Sequence, residues 1–539
     1  MKKLHTKILR ELPVILILGF LLILNLTAIA FAQDGKIRAA AEEEEIPDNQ
    51  YVEVHVLGIN DFHGQLDSVK TVKDRPAGGA DCLAAYLEQR RSAEKNTLIV
   101  HAGDMVGGSA PSSALFQDEP TIELMNQVGF DVGIPGNHEL DDGYREMIRL
   151  INGGYHVAAG WFQGANFPYI SANMIDPDTG DPVLDPYIIK RVEGIPIGFI
   201  GVTLSDMSVY QDPAELKEVL FSDEIKAVNQ AAAVLKRQNV KTIILLAHVD
   251  GSSGTIPGRV GGQLADLAVR VDDEIDVVIA GHSHISVNGN IDGKLIVESL
   301  CNGLAFSDIS LKIDPATGDT VSKEAEIVIT YRDSITPDAR IAKLISSYAF
   351  AVKDLVNRPV SISDNSIMKK PNVAGEAALG DLITDAYRWK TDTDLAFINT
   401  TGIRGDLDSG IITWGDLYTI QPFRNHLIKI MMTGQQIRDV LNQQFQNGKT
   451  LQVSGLEYTW SKNQVEDIFL EDGSDPLDPE KIYSVTVNSF LGGGGDGFTV
   501  FRDCAHQEMV FVDLDSLTEY LEQSPKPISA AIEGRIIKL

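Results

Sequence analysis

The sequence has little cysteine and little positive charge. Its cysteines number 3 among 539 residues, none is in a Cys-x-x-Cys pattern, and they are Cys82, Cys301 and Cys504. An odd, scattered set permits at most one bridge, so stability should not depend on a disulfide framework. The 46 basic residues face 76 acidic ones, which gives a formal net charge of −30. Because nothing offers a broad cationic surface, we expect no nucleic-acid polymer as a partner.

Long apolar runs are also rare, and the one that stands out lies at the N-terminus. Leu12–Phe31 carries no charge, Ala30–Ala32 is a small-x-small cleavage site, and the run follows the basic residues Lys2, Lys3, Lys7 and Arg10. We interpret 1–32 as an export signal and the acidic 33–50 as a linker, which predicts a secreted, extracytoplasmic protein in the periplasm or at the cell surface. The run approaches the ~20 residues that span a bilayer, so an uncleaved anchor with a membrane contact stays open.

From residue 52 onward, apolar strand patterns alternate with helical ones, and several predicted strands end in metal-type residues. These residues are Asp61, His63, Asp104, Asn137, His138, His248, His282 and His284. In open α/β sheets, functional groups gather beyond the carboxyl ends of the strands. Carboxylate, amide and imidazole groups are ligands of divalent cations. The sequence therefore predicts an α/β domain with a metal centre at one edge of the sheet.

The stretch Gly136–Asp141 places an amide, an imidazole and a carboxylate close together. Taken alone, it leaves open whether His138 and Glu139 are metal ligands. His101, at the end of another predicted strand, is interpreted as a core histidine.

Taken in order, the motifs Asp-x-His, Gly-Asp, Gly-Asn-His-Glu, the later His and Gly-His-x-His resemble those of the calcineurin-like metallophosphoesterases. The variant Gly-Asn-His-Glu-Leu-Asp, with motifs nearer the C-terminus, is similar to the secreted 5′-nucleotidase family. The resemblance extends from about Tyr51 to the end of the chain. It implies a four-layer α/β/β/α catalytic domain.

The resemblance also implies the role of each site residue. One divalent ion would be held by Asp61, His63 and His284, the other by Asn137, His248 and His282, with Asp104 as the bridge. His138, oriented by Asp141, would face the phosphoryl group. The ions, of Mn, Zn, Co or Fe, would hold the hydroxide that attacks phosphorus. Asp250 stands where the family usually has glycine, a change expected to narrow the loop and leave ligation intact.

The second half begins with a helical pattern over 336–357, in which Thr336-Pro337-Asp338 forms the start. We place the domain boundary here, with a catalytic domain over 51–335 and a smaller α+β, nucleotide-binding domain over 358–539. The connecting helix is also where one domain would pivot on the other.

In this second domain, the resemblance implies a substrate pocket made by Asn399, Arg404, Phe423, Phe490 and Asp496. The two phenylalanines would stack on a nucleobase, and the aspartate would bind ribose hydroxyls. The chain departs from the family at Thr400 and Thr401, which replace glycines, and it lacks an arginine around 374–381. Lys369 and Lys370 lie upstream as substitutes, although an ammonium lacks the bidentate fork of arginine.

The leading hypothesis is an exported dimetal phosphohydrolase that cleaves phosphate esters of nucleotides, with a nucleotide or related small phosphate ester as its partner. The alternatives on the same scaffold are a 2′,3′-cyclic nucleotide phosphodiesterase, a UDP-sugar hydrolase or a hydrolase of a sulfur ester. From another class, a non-catalytic surface-binding protein stays open.

Overall fold

The computed structural model of the protein describes residues 51–211, 216–253, 260–471, 475–504 and 508–539. The predicted export signal over 1–32 and the linker over 33–50 lie outside these residues. Within the described part of the chain, no helix is long and apolar enough to span a bilayer.

Two β-sheets form the N-terminal domain. The first has the strand order Thr320–Ile329, Ala305–Ile313, Val52–Ile59, Thr97–His101 and Val132–Gly133. The second has the order Ser286–Ile291, Lys294–Ser299, Ile275–Gly281, Thr242–His248, Ile195–Thr203 and Tyr187–Val192. The strands Val52–Ile59, Thr97–His101 and Val132–Gly133 run parallel, as do Ile195–Thr203, Thr242–His248 and Ile275–Gly281. Because the strands within each set are parallel, their carboxyl ends lie at the same edge of their sheet.

Alternation along the strands divides the apolar side chains between two interfaces. Val54 and Val56 pack in one cluster with Ile244 and Leu246 of the other sheet, so these residues form the core between the sheets. Their neighbours Ile59 and Leu245 belong to a second cluster, which contains the apolar faces of the flanking helices. A period of two sends successive side chains to opposite faces. The predicted α/β/β/α layering is therefore confirmed.

The helices of this domain run over Ala80–Ala93, Pro111–Ala114, Glu119–Val128, Tyr144–Asn152, Glu224–Arg237 and Gly262–Arg270. Short 3₁₀ turns cover His138–Leu140, Met207–Val209 and Arg332–Ser334. Small two-stranded pairs are Val69–Val72 with Arg75–Gly78, Gly154–His156 with Gly160–Phe162, Met174–Ile175 with Leu220–Phe221, and Ser252–Ser253 with Val260–Gly261.

A helix over Ala339–Val356 joins the two domains. It begins after the predicted start at Thr336, because the Asp338 side chain caps it by accepting the backbone N–H groups of Arg340 and Ile341. The domain limits at 335 and 358 stay predictions.

The C-terminal domain is built on a five-stranded sheet in the order Leu451–Ser454, Leu395–Asn399, Ile482–Asn488, His426–Thr433 and Glu508–Val512. A small sheet pairs Pro359–Ser363 with Gly410–Thr413, and a three-stranded sheet has the order Gln464–Leu470, Leu456–Ser461 and Ile536–Lys538. The helices here run over Ala378–Thr391, Trp414–Ile420, Gly434–Asn447, Ser489–Gly492, Thr499–Arg502 and Asp513–Gln523, with 3₁₀ turns at Thr400–Gly402 and Gly495–Gly497. Separate apolar clusters cover the sheet, one against Ala378–Thr391 and Asp513–Gln523, the other against Gly434–Asn447.

Candidate active site

Most of the predicted metal-site residues lie on loops that directly follow the parallel strands, and His248 is the last residue of one such strand. The backbone N–H of Asp61 donates to the carbonyl of Gly103 at 3.1 Å, and that of His63 donates to the carbonyl of Asp104 at 3.0 Å. These bonds continue the pairing of the strands Val52–Ile59 and Thr97–His101 into the two loops. Neighbouring strand ends thereby bring side chains from distant parts of the sequence together.

Several of these loop residues hold a left-handed backbone. The φ angles are 51° at Asp61, 52° at His63, 53° at Asp104, 88° at His282 and 58° at His284. Non-glycine residues adopt this region at a cost, and such positions cluster at functional sites. The turns aim the side chains of these residues toward one another.

The structure brings one group of predicted ligands together around His63. Its Nε2 lies 3.1 Å from Nε2 of His284, and that atom of His284 lies 3.5 Å from Oδ1 of Asp61. One nitrogen or oxygen atom from each residue lies within 4.8 Å of the others, a spacing that suits a single cation.

A second group forms around Asn137. Its Oδ1 lies 3.1 Å from Nε2 of His248 and 2.9 Å from Nδ1 of His282. The Nε2 of His248 is also 3.1 Å from Oδ2 of Asp104, which in turn lies 4.0 Å from Nε2 of His63. Asp104 thus stands between the two groups, where a bridging ligand belongs.

In His63 and His248, one ring nitrogen faces the other predicted ligands and the second, here called the outer nitrogen, faces away from them. The partner of the outer nitrogen indicates whether the ring can bind a cation. Nδ1 of His63 lies 2.9 Å from the carbonyl of Gly107, and Nδ1 of His248 lies 2.8 Å from the carbonyl of Ala102. A carbonyl only accepts, so each outer nitrogen carries the proton and each Nε2 presents a lone pair to the site. Converging lone pairs and carboxylates are a donor set for divalent ions. The residues present therefore fit the two ions that the motifs imply.

Burial and charge set the protonation of these groups, and they do so differently at His63 and His248. Burial, together with the charge of His138, holds the pKa of His63 well below its ordinary value, so the ring is neutral. Burial opposes ionisation of Asp104, but the charges of His248 and His138 hold the pKa of its carboxyl well below the usual range. Burial also lowers the pKa of His248, yet Asp104 outweighs it and raises that pKa to about 10. Because metal binding displaces protons from its ligands, a cation would take the place of this proton.

His138 is held by a carboxylate and covered by an aromatic ring. Its Nδ1 lies 3.0 Å and 2.9 Å from the two carboxylate oxygens of Asp141. The ring of Phe423 stacks on it, with centroids 5.6 Å apart and 9° between the planes. Burial lowers the pKa of His138, but the charges of Asp141 and Asp104 raise it above the ordinary value. The protonated form of the imidazole is therefore favoured beside the predicted ligands.

Glu139 and Gln211 hold the backbone around His138 in place. Glu139 accepts the backbone N–H groups of Asp104 at 2.9 Å, Met105 at 2.8 Å and Gly136 at 2.6 Å, so it anchors both loops. Gln211, which the sequence analysis missed, donates from Nε2 to the carbonyl of Asn137 at 2.7 Å and to Asp141 at 2.8 Å. No motif marks Gln211, because its partners lie about 70 positions away in the sequence.

One cavity of about 990 Å³ connects this cluster to the C-terminal domain. Its wall includes the metal-side residues Asp104, Asn137, His138, Asp141, His282 and His284, and the predicted substrate residues Asn399, Arg404, Phe423, Phe490 and Asp496. Its positive side chains among the described lining residues are Arg404, Arg424 and Lys449. Lys369 does not belong to this wall, because its Nζ donates to the backbone carbonyls of Ile403 and Arg404 at 3.3 and 3.2 Å.

Thr401, one of the departures from the family pattern, alters the predicted ribose subsite. Asn399 donates from Nδ2 to Oδ2 of Asp496 at 2.8 Å, and the hydroxyl of Thr401 donates to the same oxygen. Oδ2 of Asp496 is thus occupied from within the protein. Because Asp496 lines the cavity, its other oxygen, Oδ1, is the candidate contact for a ligand.

Comparison with known proteins agrees with this fold and site. Residues 54–286 match the calcineurin-like phosphoesterase family, and residues 356–503 match the 5′-nucleotidase C-terminal domain. Endonuclease YhcR of Bacillus subtilis is 38% identical over 94% of this chain, which spans 43% of that protein. Cell wall protein Lmo0130 of Listeria monocytogenes is 33% identical over 90% of this chain and 69% of its own length. A 5′-nucleotidase precursor from Thermus thermophilus has the same fold, with a TM-score of 0.77, 27% identity, and coverage of 90% of this chain and 99% of its own.

The fold and site define a metal-dependent phosphoester hydrolase of the calcineurin-like class. Because both domains match in order along the chain, the protein belongs to the 5′-nucleotidase family.

Proposed function

We propose that the protein is an exported phosphohydrolase that removes phosphate from nucleotides. The observation that carries the proposal is one shared cavity. Its wall includes the predicted cation ligands Asp104, Asn137, His282 and His284 from the N-terminal domain, together with the predicted nucleoside contacts of the C-terminal domain. A phosphate ester in this cavity places its phosphorus against the N-terminal domain and its base against the C-terminal domain.

Asp61, His63 and His284 would hold one cation and Asn137, His248 and His282 the other, with Asp104, which lies between the two groups, as a ligand available to both. When bound, two such ions activate water and stabilise negative charge on the phosphoryl group.

His138 supplies the proton chemistry. Its Nδ1 is fixed by Asp141, so its Nε2 is the atom free to act, and the raised pKa keeps a proton on the ring. That proton is available to the ester oxygen as the bond to phosphorus breaks, a contribution of roughly 10²–10⁴-fold. Arg404, which also lines the cavity, adds a second positive charge for the phosphate oxygens.

The organic part of the ester contacts the C-terminal domain. Phe423 and Phe490 both line the cavity. One face of the Phe423 ring already stacks on His138, so a base would meet the remaining aromatic surface of the two residues, where stacking is worth ~1–3 kcal/mol per ring. Asp496 offers Oδ1 to a sugar hydroxyl. Two aromatic faces accept any base, so these residues favour nucleotides as a class and leave the choice of base open.

Export rests on the N-terminal sequence pattern and on the similarity to a cell wall protein of Listeria monocytogenes. N-terminal sequencing of protein recovered from the culture medium or cell envelope tests it. A mature chain that starts after Ala32 supports a cleaved signal, whereas a retained Met1 contradicts cleavage.

The activity is tested with a substrate panel and defined metals. The purified protein, loaded with Mn²⁺, Zn²⁺, Co²⁺ or Fe²⁺, is given nucleoside 5′-monophosphates, 2′,3′-cyclic nucleotides, a UDP-sugar and a thiosulfate ester. We expect the highest kcat/KM on 5′-monophosphates, loss with a chelator, and loss of turnover and metal in Asp104→Asn and His63→Ala. A higher kcat/KM on another ester class would mean that this class, and not 5′-monophosphates, is the preferred substrate. If the protein turns over none of these substrates with metal, the alternative of a non-catalytic binding protein would be favoured.

A further inference from the structure

Asp250 lies on the loop after the strand Thr242–His248 and faces a predicted metal ligand. Its Oδ1 is 3.3 Å from Nε2 of His282. Its Oδ2 accepts the hydroxyl of Tyr210 at 2.6 Å. The carboxylate of Asp250 thus uses one oxygen for His282 and the other for Tyr210. A glycine at this position would remove both contacts.

The contact fixes which nitrogen of His282 carries the proton. A carboxylate accepts, so Nε2 of His282 is the protonated atom and Nδ1 carries the lone pair. Nδ1 is also the atom that lies 2.9 Å from Oδ1 of Asn137, within the second group of predicted ligands. The ring therefore points its free lone pair at the place where that group would hold a cation.

His282 is supported differently from the neighbouring histidines. The outer nitrogens of His63 and His248 face neutral backbone carbonyls, whereas the outer nitrogen of His282 faces a charged carboxylate. A carboxylate behind a ligating imidazole fixes its orientation and makes it a stronger donor, and loss of such a partner typically costs 10–100-fold in metal affinity.

Tyr210 contacts both members of this pair. Beyond its hydrogen bond to Asp250, its ring packs edge-on against the ring of His282, with centroids 4.7 Å apart and 88° between the planes. The hydroxyl therefore fixes the rotamer of Asp250, while the ring limits the tilt of His282. His282 also has a left-handed φ of 88°, so its orientation is not set by a relaxed backbone.

We propose that Tyr210 and Asp250 are positioning residues for His282 and set the affinity of the cation held by Asn137, His248 and His282. This inference rests on the proposed dimetal function. Asp250 and His282 would form a carboxylate–histidine pair within the ligand set. The aspartate that stands at position 250, where the family usually has glycine, would therefore have a role in metal binding.

The test is cation binding measured apart from turnover. Metal-free wild type, Asp250→Asn, Asp250→Ala and Tyr210→Phe are titrated with Mn²⁺, and free Mn²⁺ is followed by electron paramagnetic resonance. We expect two bound ions in wild type. In Asp250→Ala, one of them should bind 10–100-fold more weakly while the other keeps its affinity. Asp250→Asn and Tyr210→Phe should show smaller losses at the same ion.

The design separates a positioning role from general damage. The Asp250 side chain is 52% exposed, so its replacement should leave the melting temperature unchanged. Asp266→Asn, a change at an exposed carboxylate paired with Arg270, is the matched control and should bind both ions as wild type does. Wild-type affinity at both ions in Asp250→Ala, or equal weakening of both, would overturn the proposal. Wild type that binds no Mn²⁺ would instead refute the dimetal function itself.

Discussion

Replacement of His138 by glutamine separates proton transfer from metal binding. By position alone, the His138 side chain fits two roles, that of a metal ligand and that of a proton donor. The first role is suggested because one nitrogen or oxygen atom each of His63, Asp104 and His138 lies within 4.8 Å of the others, as in a metal site. The proposed role is that of a proton donor, because Nδ1 is taken by Asp141 at 2.9 Å and the ring is stacked against Phe423.

The expected size of the effect follows from that role. General acid catalysis contributes roughly 10²–10⁴-fold, which corresponds to about 2.7–5.4 kcal/mol of transition-state stabilisation. His138→Gln should lose that much in kcat on a 5′-monophosphate and keep its full metal content. Asp141→Asn leaves an amide oxygen to accept from Nδ1 but removes the charge that raises the pKa of His138, so we expect a smaller loss, about tenfold.

The assay pairs steady-state kinetics with metal analysis by mass spectrometry on the same samples. His156→Gln, on the hairpin strand Gly154–His156, serves as the histidine control and should match wild type in both measurements. Loss of one metal equivalent in His138→Gln would show that His138 is a ligand. A kcat within fivefold of wild type would refute the proton-donor role.

Three further changes test other parts of the structure. Glu139→Ala removes the acceptor of three buried backbone N–H groups, each worth ~1–3 kcal/mol, so calorimetry should show a melting temperature lower by roughly 5 °C or more. Thr401→Gly frees Oδ2 of Asp496 from one donor, and the ratio of kcat/KM for AMP over 2′-deoxy-AMP should rise about tenfold. Asp381→Asn should stabilise the protein increasingly between about pH 4 and 8, because burial raises the pKa of Asp381 to about 8 while the unfolded chain releases that proton near pH 4. Raising the pH through this window therefore adds a destabilising contribution from Asp381 to wild type that the Asp381→Asn variant lacks.

Each of these three has a result that would contradict it. An unchanged melting temperature in Glu139→Ala would mean that the loops do not depend on this anchor. An unchanged ribose preference in Thr401→Gly would show that Oδ2 of Asp496 does not contact the sugar. A stability difference for Asp381→Asn that is constant from pH 4 to 9 would mean that the Asp381 carboxyl ionises normally in the folded protein.

The sequence patterns predicted an α/β domain with a metal centre at one edge of its sheet, and the family resemblance supplied the four-layer arrangement and the role of each site residue. Strands such as Thr97–His101 were predicted from their apolar pattern, since alternation is a local property of the chain. The metal-type residues that follow them were predicted from their position, because parallel strands place their carboxyl ends at one edge. His101 was interpreted as a core histidine, and it is buried against the rings of Phe130, Phe167 and Tyr169.

Only the tertiary structure decided how the site residues are supported. Gln211 contacts Asp141 from 70 positions away, and Tyr210 contacts Asp250 from 40. Thr401 reaches Asp496 across 95 positions. Such contacts depend on where separate loops end in space, and no local pattern of charge or hydropathy records that. The sequence therefore predicts which groups form the site, and the packing of the strand ends determines which atom of each group faces its neighbours.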